Sequence, residues 1–198
     1  MIKKILFVML SAFVLAACTL HRQEAEPLRQ SAPLFPDYAD VLLPVNISAP
    51  TFALNDSANA LESVQAVFSS GSETIIVGSD DTDGICISEA DWHKLVAASH
   101  VITVTIQGEK NGKWVEYDAF KMNISPDSID NTLVYRLIEP GYEVWNEMGI
   151  YQRSVENYDE EAIITNRQTD KGCMNCHSFC NYNPEQLMFH LRLNHAGT

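Results

Sequence analysis

The chain has 198 residues, with 26 acidic and 13 basic side chains, so its formal net charge is −13. Hydrophobic residues make up 46% of it, which excludes a wholly disordered chain. A chain this acidic is repelled by phosphate backbones, so no nucleic acid is expected among its partners. The length allows one or two small domains with a buried core.

The first 18 residues have the pattern of a bacterial lipoprotein signal. A short basic start is followed by an apolar run that ends in Leu15-Ala16-Ala17-Cys18. The run is shorter than the roughly 20 helical residues that cross a bilayer, so residues 1–17 are interpreted as a cleaved signal peptide. Cys18 is then the lipidated first residue, and outer-membrane lipid is its partner. The alternative is an ordinary secretory signal with an incidental cysteine.

Residues 18–36 are interpreted as a lipidated tether. The segment is polar and contains Pro27, Pro33 and Pro36, which disfavour a regular element. We therefore expect it to space a folded domain from the membrane, on the periplasmic or the cell-surface face.

Residues 37–140 have the pattern of an immunoglobulin-like antiparallel β-sandwich, which makes the predicted fold mainly β. Short apolar runs alternate with turn residues, and residues 63–69 place every second side chain on one apolar face. Residues 101–107 are the strongest predicted strand, and Lys110-Asn111-Gly112-Lys113 predicts a hairpin turn. A short helix is expected between Ser88 and Ser99.

Residues 141–198 contain the strongest chemical signal, Cys173-Met174-Asn175-Cys176-His177. This C-x2-C-H spacing is the attachment motif for c-type haem. Two thiols at this interval can add to the two vinyl groups of one haem, and the adjacent histidine can ligate the iron. The sequence therefore predicts one covalent haem c on Cys173 and Cys176, with His177 as the axial iron ligand. The export signal agrees, because haem is attached in this way outside the cytoplasm.

The sixth iron ligand is less well defined by the sequence. Residues 184–192 are expected to continue this irregular or helical haem-binding segment as a helix, with His190 facing an apolar pocket beside Leu187 and Leu191. His190 is therefore the preferred sixth ligand. There are two alternatives: His190 packs in the core or beside the iron ligands without touching the iron, or Met188 is the sixth ligand.

Zinc is the main alternative to haem. Cys173, Cys176, His190 and His195 have the spacing C-x2-C-x13-H-x4-H, one residue from that of a two-Cys two-His finger. The acidic composition, the export signal and the position of His177 weigh against a finger. A redox disulfide between Cys173 and Cys176 and an iron–sulfur cluster that includes Cys180 are weaker alternatives.

Two cysteines remain outside the attachment motif. Cys86 and Cys180 either pair as a disulfide or stay as free thiols, and the sequence leaves both possibilities open.

Several segments resemble a family of Bacteroidetes lipoproteins that are labelled TolB-like or cytochrome c biosynthesis proteins. The segments are Pro36-Asp37-Tyr38-Ala39-Asp40, residues 133–143, residues 148–153 and residues 173–179. The resemblance implies a haem-attachment motif between an N-terminal β-domain and a β-propeller. The sequence stops at Gly197-Thr198, where the propeller would begin, so we expect a short form of the family plan or a fragment.

The sequence thus predicts a membrane-anchored, periplasm-facing c-type haem protein that transfers electrons to or from an unidentified redox partner. No acid–base pair, nucleophile or phosphate loop indicates an enzyme. The alternative is a haem-free outer-membrane lipoprotein that acts as a binding module, with its cysteines holding zinc or a disulfide.

Overall fold

A computed structural model of the chain describes residues 20–55, 60–79, 84–138, 147–193 and 196–197. The predictions for the signal peptide at residues 1–17, for lipidation of Cys18 and for His195 lie outside these residues. Within the described ranges the fold is mainly β, with several sheets and one α-helix, so the predicted fold class is confirmed.

Residues 20–125 form one group of elements around a common core. Its strands and its helix, in chain order, are β1 (Glu26–Ser31), β2 (Leu34–Phe35), β3 (Leu42–Pro44), β4 (Thr51–Leu54), β5 (Ser63–Ser70), β6 (Glu73–Ser79), β7 (Ile85–Cys86), α1 (Glu89–Ala98), β8 (Val101–Lys110), β9 (Lys113–Asp118) and β10 (Phe120–Ser125).

The largest sheet is organised around β8. β8 pairs antiparallel with β5 on one side, and on the other side β10 and β9 lie end to end along it. β6 extends the sheet beyond β5, while β1 and β3 add parallel edges to β9 and β10. The centre of the sheet is therefore antiparallel, as the sequence predicts, and the arrangement is consistent with an immunoglobulin-like sandwich.

The first core lies on one face of this sheet. Strand alternation sends Val64, Ala66 and Phe68 of β5 into it, together with every second residue of β8 and β10. Ser88 is the N-cap of helix α1, since its hydroxyl accepts from the Asp91 amide, and the helix buries Trp92 against the sheet. The small sheet β2-β4-β7 covers the rest of this core.

The segment that was expected to be an irregular tether is partly a strand. Glu26–Ser31 forms β1 and Leu34–Phe35 forms β2. Pro27 is tolerated because β1 is an edge strand, where the ladder does not need a donor from every residue. The tether prediction is therefore wrong for residues 26–31 and 34–35.

The rest of the chain forms a second group of elements. Its members, in chain order, are β11 (Thr132–Ile138), β12 (Met148–Ser154), β13 (Glu160–Thr165), a 3₁₀ turn (Asn166–Gln168), β14 (Cys173–Phe179), a second 3₁₀ turn (Cys180–Tyr182), β15 (Leu187–Leu193) and β16 (Ala196–Gly197).

Two three-stranded sheets make up this second group, and a small core joins them. β11, β12 and β13 form one sheet, and β14, β15 and β16 form the other. Met148, Ile150 and Met174 are buried between them. β11, which the predicted boundary at residue 140 assigns to the first domain, pairs with β12 and packs here.

The helix expected over residues 184–192 is wrong, because Leu187–Leu193 is strand β15. Leu187, Phe189 and Leu191 recur with a period of two and pack against the second core. The helical interpretation used only the spacing between Leu187 and Leu191, which also fits a strand.

Hydrogen bonds link the segment before β4 to the second group. The amide of Ser48 donates to the carbonyl of Val155 at 2.6 Å. The side chain of Asn46 pairs with the backbone of Ile129 through both its amide nitrogen and its oxygen. The Tyr158 hydroxyl also donates to the carbonyl of Ala49. No helix in the described ranges has the length and apolar character of a bilayer span.

Candidate functional site

The attachment motif lies on a β-hairpin, in strand β14, and contains a β-bulge. Asn175 is opposite His190 of β15, and Ser178 is opposite Met188. Cys176 and His177 therefore share the single partner position of Phe189, which is the two-against-one count of a bulge. Cys176 has a φ of 55°, a left-handed conformation that redirects the chain at this point.

The bulge separates the environments of the motif side chains. Met174 is fully buried and helps to form the second core. Cys173 is half-buried beside that core, and Cys176 is exposed. Both cysteines are free thiols. The strand is thus fixed by the methionine between the two sulfurs, while Cys176 is exposed.

His177 turns towards the opposite sheet. Its Nε2 lies 3.2 Å from the carbonyl oxygen of Val134 in β11, which accepts the hydrogen bond. Its Nδ1 is buried and has no hydrogen-bond partner among the described residues. In the neutral imidazole with the proton on Nε2, Nδ1 carries a lone pair. The imidazole is therefore oriented by the Val134 carbonyl, and its second nitrogen is buried without a described partner.

The structure places His190 and Met188 away from His177. Both side chains are exposed on β15, where they alternate with the core-facing Leu187, Phe189 and Leu191. His190 therefore does not face an apolar pocket, contrary to the expectation from a helix. It is opposite Asn175, which is also exposed.

The residues of the zinc alternative are not assembled in the described part of the chain. Among those residues there is no group of three or more histidine, cysteine or acidic side chains that could hold a metal ion. His195, the fourth member of that set, lies outside them. Cys86 and Cys180 are exposed free thiols, one in β7 and the other after β14. The Cys86–Cys180 disulfide, which the sequence leaves open, is thus not formed.

A groove beside the motif is the feature that sequence reasoning missed. Its volume is about 610 Å³, and its lining includes Val134, Ile163, Phe179 and Leu187. That volume is typical of cofactor and ligand sites. Val134 both lines the groove and accepts the bond from His177. No sequence signal could identify Val134, because its contribution to the site is a backbone carbonyl.

Beside Val134, the ring of Tyr135 stacks on that of Tyr151, with centroids 6.4 Å apart. The Tyr135 hydroxyl donates to the Glu160 carboxylate, and this bond, followed by desolvation, raises the pKa of Tyr135 above its usual value of 10.0. Tyr135 is therefore an uncharged phenol, the form that donates the hydrogen bond to Glu160.

Haem is the group that the motif implies, and the residues present fit it. Two free thiols two residues apart supply the atoms for thioether attachment. A metal-ligating histidine usually gives one ring nitrogen to the metal and the other to a carbonyl or carboxylate. His177 has the carbonyl of Val134 on one nitrogen and no described partner on the other.

Comparisons with known proteins add no family to these observations. No protein family matches the chain, and no curated protein is significantly similar to it.

Proposed function

We propose that this protein is an outer-membrane-anchored, periplasm-facing c-type haem protein that transfers electrons. The observation that carries the proposal is His177, which adjoins Cys176 in a C-x2-C-H motif and has one buried nitrogen without a described partner. The export signal ending at Cys18 and the resemblance to TolB-like lipoproteins agree with it.

Each residue of the motif has a separate task in this proposal. Cys173 and Cys176 would hold the haem through thioether bonds, and His177 would supply a nitrogen ligand to its iron. The Val134 carbonyl fixes the orientation of the imidazole, and the burial of Met174 holds the strand between the two thiols in place. When bound, the haem supplies a one-electron redox centre for a partner protein that has not been identified.

The first experiment tests covalent attachment. The full chain is expressed with the c-type cytochrome maturation machinery, and the mature protein is analysed by denaturing gel with haem stain and by intact mass. We expect a haem-positive band, which Cys173→Ser and Cys176→Ser weaken or abolish. Cys180→Ser is the matched control, because Cys180 is an exposed free thiol of the same segment outside the motif. A native chain without a haem adduct would refute the proposal.

The second experiment tests the role of His177 as a ligand. His177→Ala should shift the Soret band or prevent maturation, because it removes the nitrogen next to the second thiol. His190→Ala should leave the spectrum unchanged, since His190 is exposed on the other side of the hairpin. A spectral change in the His190 variant alone would instead assign an iron-ligand role to that residue and contradict the placement.

The haem-free binding module is an outcome of the same measurements. A colourless protein with one zinc per chain, or with a disulfide in its mass map, would support that function in place of the haem protein. Metal analysis of the wild type and of the Cys176→Ser variant distinguishes a zinc held by the motif from a contaminant.

A further inference from the structure

Residues 20–23, here called the N-terminal strap, cross the outer face of the large sheet. This face is the one opposite the first core, because Val64 and Ala66 point into the core and Gln65 between them points away. Gln65 is directly opposite Gln107 of β8. Both glutamines are buried, at 2% and 0% exposed, although neither contributes to an apolar core.

The two glutamines hold the backbone of the strap. The amide of Gln23 donates to Oε1 of Gln107 at 3.1 Å, and Nε2 of Gln107 donates to the carbonyl of Gln23 at 2.9 Å. Nε2 of Gln65 donates to the carbonyl of His21 at 3.2 Å and to Oε1 of Gln107 at 2.7 Å. Gln107 thus binds the strap as a neighbouring strand would, through one donor and one acceptor.

A salt bridge holds Arg22, the residue of the strap between His21 and Gln23. The Arg22 guanidinium contacts both carboxylate oxygens of Glu116 in β9, at 2.9 and 3.0 Å. The same carboxylate accepts from Nε2 of Gln107 at 2.7 Å. Side-chain and backbone contacts therefore converge on residues 21–23.

The backbone of the strap crosses the sheet from β8 towards β6. The backbone of Gln23 contacts Gln107 of β8, and the carbonyl of His21 contacts Gln65 of β5. Leu20 then reaches β6, where its methyl groups lie 3.3 and 3.4 Å from the position that a Cβ on Gly78 would take. Glycine at position 78 permits this close approach. Leu20 is 52% exposed at the β6 edge of the sheet.

We propose that the β6 edge of the large sheet lies directly against the lipid surface. This inference rests on the proposed lipid anchor at Cys18. Cys18 and Leu20 are two residues apart, so their Cα atoms are separated by at most about 7.6 Å. A lipid on Cys18 and a strap fixed at Leu20 leave no slack for a flexible spacer. The partner of this edge is the headgroup layer of the bilayer that holds the anchor.

The test compares two positions on opposite edges of the sheet. A fluorescent amino acid is incorporated at Thr74 in β6 or at Gln30 in β1, both exposed, so the native cysteines are left unlabelled. The mature lipoprotein is reconstituted into phosphatidylethanolamine–phosphatidylglycerol vesicles that contain an acceptor lipid. Four strand spacings of about 4.8 Å separate the two edges, roughly 19 Å, so we expect more energy transfer from position 74 than from position 30.

A length variant is the matched control. A Gly/Ser insert of about 12 residues between Thr19 and Leu20 leaves the strap contacts unchanged and adds a root-mean-square span of about 19 Å. We expect transfer from position 74 to fall to the level of position 30. Gln107→Leu, checked for folding by circular dichroism, should release the strap. We therefore expect it to reduce the difference in energy transfer between positions 74 and 30.

Two results would overturn the inference. The first is equal transfer from both positions in the lipidated wild type, or transfer that the insert does not change. Either outcome would show that the β6 edge is not held against the bilayer, and neither bears on the haem assignment. The second is a mature mass without lipid, which would rule out the lipid anchor at Cys18 and, with it, this inference. Haem staining of the same sample reports separately on the redox part of the proposed function.

Discussion

Met174 offers the sharpest test of how the attachment motif is anchored. It lies between the two cysteines of the motif, is 0% exposed, and packs in the second core with Met148 and Ile150. Met174→Ala removes three buried heavy atoms and leaves both cysteines and His177 in place. Truncations of buried methionine to alanine cost about 2–5 kcal/mol, and in a core this small we expect about 3 kcal/mol.

Met188→Ala is the matched control for that substitution. It makes the same chemical change in the same hairpin, but Met188 is 70% exposed. We expect a loss of less than about 0.5 kcal/mol, as for most surface substitutions. The free energy of unfolding is measured by urea denaturation of the purified mature protein, followed by far-ultraviolet circular dichroism. In thermal melts, 3 kcal/mol corresponds to a decrease in Tm of about 6–12 °C for a chain of this size.

The burial of Met174 can be refuted by these measurements. Equal losses in the two methionine variants, or a loss below about 1 kcal/mol for Met174→Ala, would show that the motif strand is not held by this side chain. In that case the thiols would lie on a hairpin whose attachment to the rest of the protein is weaker than the structure indicates.

Three further predictions concern other elements. Ser88→Ala should destabilise α1 by about 1 kcal/mol in urea denaturation at neutral pH, because it removes the N-cap; an unchanged midpoint would contradict this. Two side-chain hydrogen bonds lower the pKa of Asp91, the larger effect coming from Lys94 and the smaller from Ser88. The stability that these bonds add is therefore lost as the pH falls through that lowered pKa. Glu160→Gln should lower the raised pKa of Tyr135 in an absorbance titration, whereas a titration curve that does not move would show that their hydrogen bond has no such effect.

Much of the first core was predictable because its strands have one buried face. In β10 the alternation of apolar and polar residues matches the burial pattern, so period two alone identifies the inward side. In β5 the same period identifies the core-facing Val64, Ala66 and Phe68, although Gln65 and Val67 on the other face are buried as well. Helix α1 was predictable for a similar reason, since its capping serine and its apolar positions agree. In these elements the local sequence pattern agrees with the packing in the folded protein.

The second core was harder to predict because its short strands depend on partners distant in the sequence. Residues 187–191 contain apolar side chains at intervals that suit both a helix and a strand, and pairing with β14 decides in favour of the strand. The N-terminal strap gave no signal at all. Gln65 and Gln107 are polar positions in apolar strands, and in the structure they hold the backbone of residues 21 and 23.

The sequence proposes the residues of the candidate site but not their geometry. The C-x2-C-H spacing singles out Cys173, Cys176 and His177, and their role as a haem site stays a prediction. The hydrogen bond from His177 to a carbonyl of β11 depends on how two sheets pack, which no local pattern encodes.

In the bulge, two residues of β14 are opposite Phe189 of β15. Strand β14 therefore contains one residue more than a regular ladder with β15 would need. Deleting Asn175 would satisfy that ladder and bring the sulfurs one residue closer together. Backbone pairing between the two strands therefore does not by itself account for the interval between the two thiols.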